Sequence, residues 1–322
     1  MARMTVVKHP SYERRIQKDS AYQSVPEYEW LVWPYRLILP LLFITGAYVQ
    51  AKKSLYRLFG GPKCVPETNC WFVDGVSINS RRVKDGAKGW RALDAVYNFR
   101  KGGEGANWLV RAMDNFWLNI RNAQAVRNRL KIVKRELSAA IIKVAETKPP
   151  DEPVHVLSLA AGSGQGVIEV AAEMVRLGVA CQVLLIDQDE SAIEYGRSLA
   201  EMHNVSSSVT VRKADVVYFE RSLEGQKPDI IEMCGLLDYL PWNLAVIVIK
   251  KVRRRLRQDG FFLTCHIHSN WEKYFLWQQE NWGMLYRSRH QLREMLIEGG
   301  FLEANLHTEP HRIHTVAVAQ KL

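Results

Sequence analysis

The stretch Val154-His155-Val156-Leu157-Ser158-Leu159-Ala160-Ala161-Gly162-Ser163-Gly164-Gln165-Gly166 decides the fold. Val154–Leu159 is a short, largely apolar run, the pattern of a strand buried on both faces of a parallel sheet. A turn of small residues follows. From Gly166 to Leu177, the residues Val167, Ile168, Val170, Ala171, Met174 and Val175 recur at helical spacing, and Gly178 is a natural stop. In a strand–turn–helix order, Gly162, Gly164 and Gly166 let the backbone approach a ligand where a Cβ would collide. The start of the helix adds free N–H groups and the positive end of a dipole. The next strand, Gln182–Ile186, ends at Asp187, twenty-one residues after Gly166. A carboxylate there can accept from both hydroxyls of a ribose. Its competing reading is a negative charge at the start of the following helix.

Working outward, Ser191–Met202 reads as a helix, Val209–Arg212 as a third strand and Asp229–Cys234 as a fourth. Trp242–Leu256 reads as a long helix, Phe261–Ile267 as a fifth strand and Arg289–Glu298 as a helix closed by Gly299-Gly300. Phe301–Leu306 and His314–Ala319 are the last two strands. The gap His307–Ile313 is too short for a helical crossover, so these two should pair antiparallel. The expected class is α/β, with a mostly parallel seven-stranded sheet and a reversed terminal strand.

The glycine spacing is GxGxG. A GxGxxG turn would need glycine at 167, where the chain has valine, which disfavours a dinucleotide, and no GK[ST] phosphate loop is present. The arrangement resembles the Rossmann-like class I S-adenosylmethionine (SAM)-dependent methyltransferases over about residues 120–322. The resemblance implies SAM as cofactor. Ala160, Ala161, Gly162, Ser163 and Gly164 would hold its methionine part, Asp187 and Gln188 the ribose, and Ala214 and Asp215 the adenine. The strand end Glu232-Met233-Cys234-Gly235 would place Cys234 and Gly235 beside the transferable methyl. Two positions depart from the family: Ser158 stands where an acid is usual and Ala160 where the first glycine is, which leaves backbone carbonyls to meet the cofactor's ammonium. Residues 235–240 (GLLDYL) and 284–292 (MLYRSRHQL) are similar to a bacterial group of small-substrate methyltransferases of undefined specificity.

The catalytic candidates are Asp238, Tyr239 and His266. Asp238 and Tyr239 follow the fourth strand, beside the expected methyl; alternatively they are a helix cap and a packed aromatic. His266 offers a general base, against the alternative of a core histidine. His266 and His268 are read as pointing to opposite faces of the fifth strand, which argues against a zinc pair, and no metal is expected. Trp271, Trp277, Trp282 and Tyr286 would wall an apolar substrate, complete a cationic cage or pack a core.

The first half has different chemistry. Residues 1–150 hold 26 Lys and Arg against 12 Asp and Glu, while residues 151–322 hold 18 against 22. The composition changes at Lys148-Pro149-Pro150-Asp151-Glu152-Pro153, a stiff connection. We expect a mainly helical extension over 1–120, a substrate cap, and a cofactor-binding domain over 121–322. Ala123–Val144 reads as a long basic helix whose apolar set (Ala123, Val126, Leu130, Val133, Leu137, Ile141) lies on the sheet, with Asn122 and Arg127 as candidate cofactor contacts. Arg100–Asn107 reads as an exposed hinge. Leu37–Val49 is apolar for thirteen residues, about 20 Å of helix against a hydrocarbon core of about 30 Å. Extending it buries Arg36 at a cost of about 2.5–3.5 kcal/mol. Residues 28–63, with flanking aromatics and Lys52, Lys53, Arg57 and Lys63, suit a helix at a membrane interface or a buried cap helix.

Hydrophobic residues are 47% and charged residues 24%, which excludes collagen-like and wholly disordered chains. Five cysteines (Cys64, Cys70, Cys181, Cys234, Cys265) with no CxxC pair disfavour a disulfide scaffold and fit a reducing cytoplasmic setting; membrane contact through residues 28–63 would place the chain at the inner face of the membrane. Residues 1–20 are polar and read as no signal peptide. The expected activity is methyl transfer to an O, N or C nucleophile of a small or lipid-like molecule. RNA ranks second, because the fourth-strand motif lacks the Asn/Asp-Pro-Pro-aromatic element of base-amino methylating families. A non-catalytic partner subunit is the third alternative. The sequence leaves the oligomeric state open.

Overall fold

The computed structural model describes residues 75–99, 107–149 and 151–322, with scattered positions between 37 and 59. Most of 28–63, the segment 100–106, Cys64 and Cys70 lie outside the described residues. No helix among the described residues is long and apolar enough to cross a membrane.

The described residues form two compact units. One comprises Asn128–His268 and Leu285–Leu322; the other comprises the described residues up to Arg127 together with Ser269–Met284. The first unit is built on seven strands: β1 Val154–Leu159, β2 Cys181–Asp187, β3 Val209–Lys213, β4 Ile230–Met233, β5 Phe261–Ile267, β6 Ala304–Thr308 and β7 His314–Gln320. Their order is β3-β2-β1-β4-β5-β7-β6. All neighbours pair parallel except β7, which runs antiparallel to both β5 and β6. The expected reversed strand is therefore β7, slotted inside the edge. Chain order runs outward from β1 through β2 to β3 on one side and from β4 to β5 on the other, so a crevice opens at the carboxyl ends of β1 and β4.

Alternate residues of each parallel strand feed two separate cores. Val156, Val183 and Ile230 pack under Leu137, Ile141 and Val144 of α4 (Arg121–Ala145) and under Ile168, Ala171 and Met174 of α5 (Gln165–Arg176), with Leu199 and Ala200 of α6 (Glu190–Met202). Leu157, Ile186, Ile231 and Phe262 pack on the opposite face against Val248, Ile249 and Val252 of α7 (Trp242–Arg255) and Leu292, Met295 and Leu296 of α9 (Arg289–Glu298). The continuous apolar runs of the sequence reflect this two-sided burial.

The second unit holds α1 (Ile78–Asp85), α2 (Trp90–Tyr97), α3 (Trp108–Trp117), the first turns of α4 and α8 (Lys273–Gln278). Buried Asp114 of α3 accepts from Ser77 Oγ at 2.6 Å and from Asn79 Nδ2 at 2.9 Å, so it ties α3 to the start of α1. Trp117 stacks on Phe275 of α8 with ring centroids 5.2 Å apart.

Candidate active site

β1 delivers the chain into a turn wound by left-handed residues. Ala160, Gly162 and Gly164 have φ of 51°, 56° and 66°. Ala161 N–H donates to Ile186 O at 3.0 Å and Gly164 N–H to Ala161 O at 2.9 Å, which fix the turn against β2. Gly164 is the N-cap of α5, and no side chain caps that helix. The amides of its first turn are thus left for a ligand. A Cβ on Gly164 would lie 2.4 Å from Leu185 Cδ1, and one on Gly166 would lie 2.7 Å from Leu130 Cδ1, so a side chain at either position would have to displace a leucine methyl. Gly196 of α6, which the sequence reading passed over, lets that helix approach the turn: its Cβ would stand 3.1 Å from Ser163 O.

Asp187 accepts from Gly162 N–H through Oδ2 at 2.8 Å and from Asp189 N–H through Oδ1 at 2.9 Å. Its carboxylate therefore sits against the glycine turn. The helix-capping alternative belongs to Asp189, whose Oδ1 accepts from Ser191 N–H at 2.9 Å. Gln188 beside it is exposed. Ala214 N–H donates to Asp187 O at 2.9 Å, which brings the end of β3 to the end of β2. Asp215 is exposed and caps the 3₁₀ segment Val216–Leu223 by accepting from Val217 N–H at 2.8 Å.

On the β4 side, Ser158 Oγ donates to Glu232 at 2.5 Å; the two are register partners, and both are buried. The acid absent from position 158 is thus found one strand over. Burial pushes the Glu232 carboxyl up, against the pull of its hydrogen bonds and of Arg129. Cys234 is held well above the usual thiol range by the neighbouring Cys265 thiol, by burial and by Glu232, so it is no thiolate nucleophile. Gly235 has φ of 100° with open space where a Cβ would stand, which leaves room at the end of β4. Two groups unremarked in the sequence lie in the same unit. Asn128 of α4 (0% exposed) and His314 of β7 (2%) have every side-chain nitrogen and oxygen unpartnered. A lone asparagine in a helix and a lone histidine in a strand gave no sequence signal.

Asp238 and His266 come together, but as a closed structural unit. Asp238 Oδ1 lies 2.9 Å from His266 Nδ1 and accepts from Ile267 N–H at 3.0 Å. Arg287 Nη1 lies 2.6 Å from His266 Nε2 and also donates to Leu237 O at 2.8 Å. A guanidinium can only donate, so Nε2 accepts and Nδ1 carries the proton. His266, 0% exposed, keeps no lone pair for a substrate; it pins the loop after β4 instead of acting as a base. Tyr239 is half-buried, with its N–H on Leu236 O at 3.0 Å. His266 and His268 do not point to opposite faces. Residues two apart in a strand share a face. His268 accordingly meets the same arginine through Arg287 O at 2.6 Å, and reaches Thr315, the register partner of His266, at 2.6 Å. Tyr286 has a buried, unpartnered hydroxyl, and burial with the Asp238 charge pushes its phenol to about 12.

Within the second unit, Asn122 and Arg127 are committed to protein partners. Asn122 Nδ2 donates to Glu272 at 2.7 Å and to Asn270 at 3.0 Å, while Arg127 donates to Leu118 O at 2.6 Å and Asn119 Oδ1 at 2.8 Å. Trp282 is buried, whereas Trp271 is 82% and Trp277 54% exposed.

The fold has solved relatives. A structure described as a "possible exported protein" from Bordetella parapertussis superposes with a TM-score of 0.64 at 15% identity, over 88% of this chain and 96% of the other. The DszA carbon methyltransferase gives 0.53 at 14% identity, over 77% and 67%. Magnesium protoporphyrin IX methyltransferase from Synechocystis PCC 6803, solved with bound SAH, gives 0.48 at 12% identity, over 75% and 98%. None of the curated proteins matches the sequence. Residues 49–321 match the model of the family described as "Putative methyltransferase", and the chain belongs to that methyltransferase family.

Proposed function

We propose that the chain transfers the methyl group of SAM to a small or lipid-like acceptor. The observation that carries this reading is the left-handed turn Ala160–Gly164, with the uncapped start of α5 behind it and Asp187 bonded to its Gly162 amide. These groups fit SAM. The amides suit the methionine carboxylate, and Glu232 is the carboxylate available to the amino group. Asp187 and Gln188 take the ribose, Ala214 and Asp215 the adenine edge, and Cys234 and Gly235 border the sulfur end. When bound, SAM supplies an electrophilic methyl on a sulfonium. The chain then has to orient the acceptor and exclude water.

A small acceptor is favoured over RNA by the fourth-strand motif Glu232-Met233-Cys234-Gly235, and four cations of the basic half are withdrawn from the surface. Lys84, Arg127, Arg129 and Lys148 are all buried, so they add nothing to phosphate attraction at the surface. A site at the cytoplasmic face of a membrane accords with a lipid-like acceptor. Calorimetric titration with SAH tests the cofactor. Asp187→Ala should weaken binding roughly 10–100-fold, the worth of about 1.5–3 kcal/mol for hydrogen bonds to a charged group. A native chain without affinity for SAH, or an Asp187→Ala chain with full affinity, overturns the reading. Methyl release across an acceptor panel then separates an enzyme from a non-catalytic subunit.

A further inference from the structure

Asn128 and His314 each stand one repeat back from a shared buried cluster. One helical turn after Asn128 and Arg129, Ile132 and Val133 of α4 pack on Cys265 of β5 and Val316 of β7. Stepping back that turn along α4 covers about 6 Å. Stepping back two residues along β7, from Val316 to His314 on the same face, covers about 6.7 Å. The two steps run the same way, toward the carboxyl ends of β4 and β5. Arg129 accordingly acts electrostatically on both His314 and Glu232. Register places His314 beside Ile267, the last residue of β5. This is the end of the sheet at which Cys234 and Gly235 leave β4.

The unpartnered atoms define what fits. A neutral imidazole offers one donor and one acceptor, and a carboxamide offers a donor group and an acceptor oxygen. Leaving such atoms buried without partners costs about 1–3 kcal/mol each, so a native chain retains them where something else fills the need. A carboxylate or phosphate would leave both acceptors unmet, and an ammonium would leave both donors unmet. We infer that Asn128 and His314 form the acceptor-recognition site, and that they take an uncharged group that donates and accepts hydrogen bonds at once, a pair of hydroxyls or a primary amide. This rests on the methyl-transfer reading and adds the class of acceptor.

The test titrates four probes on one ring framework, catechol, benzamide, benzoate and benzylammonium, into the full chain with and without saturating SAH. Binding is followed by saturation-transfer NMR. Catechol and benzamide should bind, and benzoate and benzylammonium should not. Asn128→Leu and His314→Leu should each weaken the neutral probes at least tenfold and leave SAH affinity intact. Both should also raise the urea midpoint, because they remove unmet polar atoms. The proposal is overturned if the charged probes bind as well as the neutral ones, if neutral binding ignores both substitutions, or if no probe binds. It is also overturned if both substitutions lower the urea midpoint, the mark of trapped water that satisfies these groups. Loss of SAH binding by the native chain strikes the functional reading instead, and the titrations without SAH still decide this one.

Discussion

At Gly164 two costs meet in one missing methyl group. Its φ of 66° is left-handed, worth about 1–2 kcal/mol against an L side chain. Its absent Cβ stands 2.4 Å from Leu185 Cδ1, an overpacking of about 1–3 kcal/mol. Gly164→Ala should therefore destabilise the fold by roughly 2–5 kcal/mol in urea unfolding. Combined with Leu185→Ala, the cycle should show a favourable coupling of about 1–3 kcal/mol, while the dihedral part stays. Additive single effects would refute the steric account. Glu232 makes a different kind of prediction. Burial holds its carboxyl above the ordinary 4.5, so the folded state binds the proton more tightly than the unfolded one. Its contribution is most favourable below the unfolded value and is lost as pH rises through the folded value. Urea midpoints from pH 4 to 8 should show Glu232→Gln gaining on the native chain as pH rises, with a plateau above the folded value. A Glu232→Gln midpoint that falls relative to the native chain as pH rises contradicts this. Position 158 was legible in the sequence as a missing acid. Its replacement by Glu232 was not, because only parallel register sets the two side by side.

Elements whose limits depend on their own residues were legible. β1, β5 and α9 have the bounds the apolar periodicity predicts, and Ser288 with Gln291 closes a capping box on α9. Elements bounded by distant partners were not. β6 starts at Ala304 and not at Phe301, because Gly300 is left-handed and Phe301 N–H returns to Leu296 O at 3.0 Å. This helix-ending motif uses Phe301 as its apolar anchor, stacked on Phe262 at 5.5 Å. The start of α4 is capped from far along the chain. Buried Glu272 accepts from the backbone N–H of Arg121 at 3.1 Å and of Asn122 at 2.8 Å. Glu272→Ala should cost about 1–3 kcal/mol and speed amide exchange at residues 121–124 before the rest of the helix. Uniform exchange along α4 would deny the capping role. Lys148, at the start of the proline-rich join that the sequence reads as stiff, is likewise held by distant partners. Lys148 Nζ reaches Asp229 Oδ2 at 2.6 Å and Pro153 O at 2.9 Å, with both side chains of the ion pair 2% exposed. Lys148→Met should cost about 3–5 kcal/mol, the price of leaving a buried charge short of a partner. A urea midpoint close to native would show that Arg257, 2.9 Å from Asp229 Oδ1, suffices alone.

For the whole molecule, the charge asymmetry carries less information than it promised, because several cations of the basic half are internal. What remains at the surface is apolar as well as basic. Leu37, Ile44, Tyr48, Leu55 and Leu58 are helical positions between 56% and 78% exposed, and Phe59 is 80% exposed. Their sequence intervals of seven, four, seven and three residues match helical spacing. Water-exposed apolar area of this kind is retained where something covers it. Lys52, Lys53 and Arg57 lie within the same stretch and Lys63 follows it, and each basic residue near an anionic surface adds about 1 kcal/mol of attraction. The expected outcome is that the full chain co-sediments with vesicles containing anionic lipid, that binding falls as salt rises, and that a chain lacking residues 1–60 stays in the supernatant. Removal of Leu37 and Ile44 alone, as a double change to Ser, should weaken binding at every salt concentration, because burial of apolar area is not screened. Equal partitioning of the full and shortened chains would assign these side chains to contacts within the protein, and the acceptor would then have to reach the site from solution.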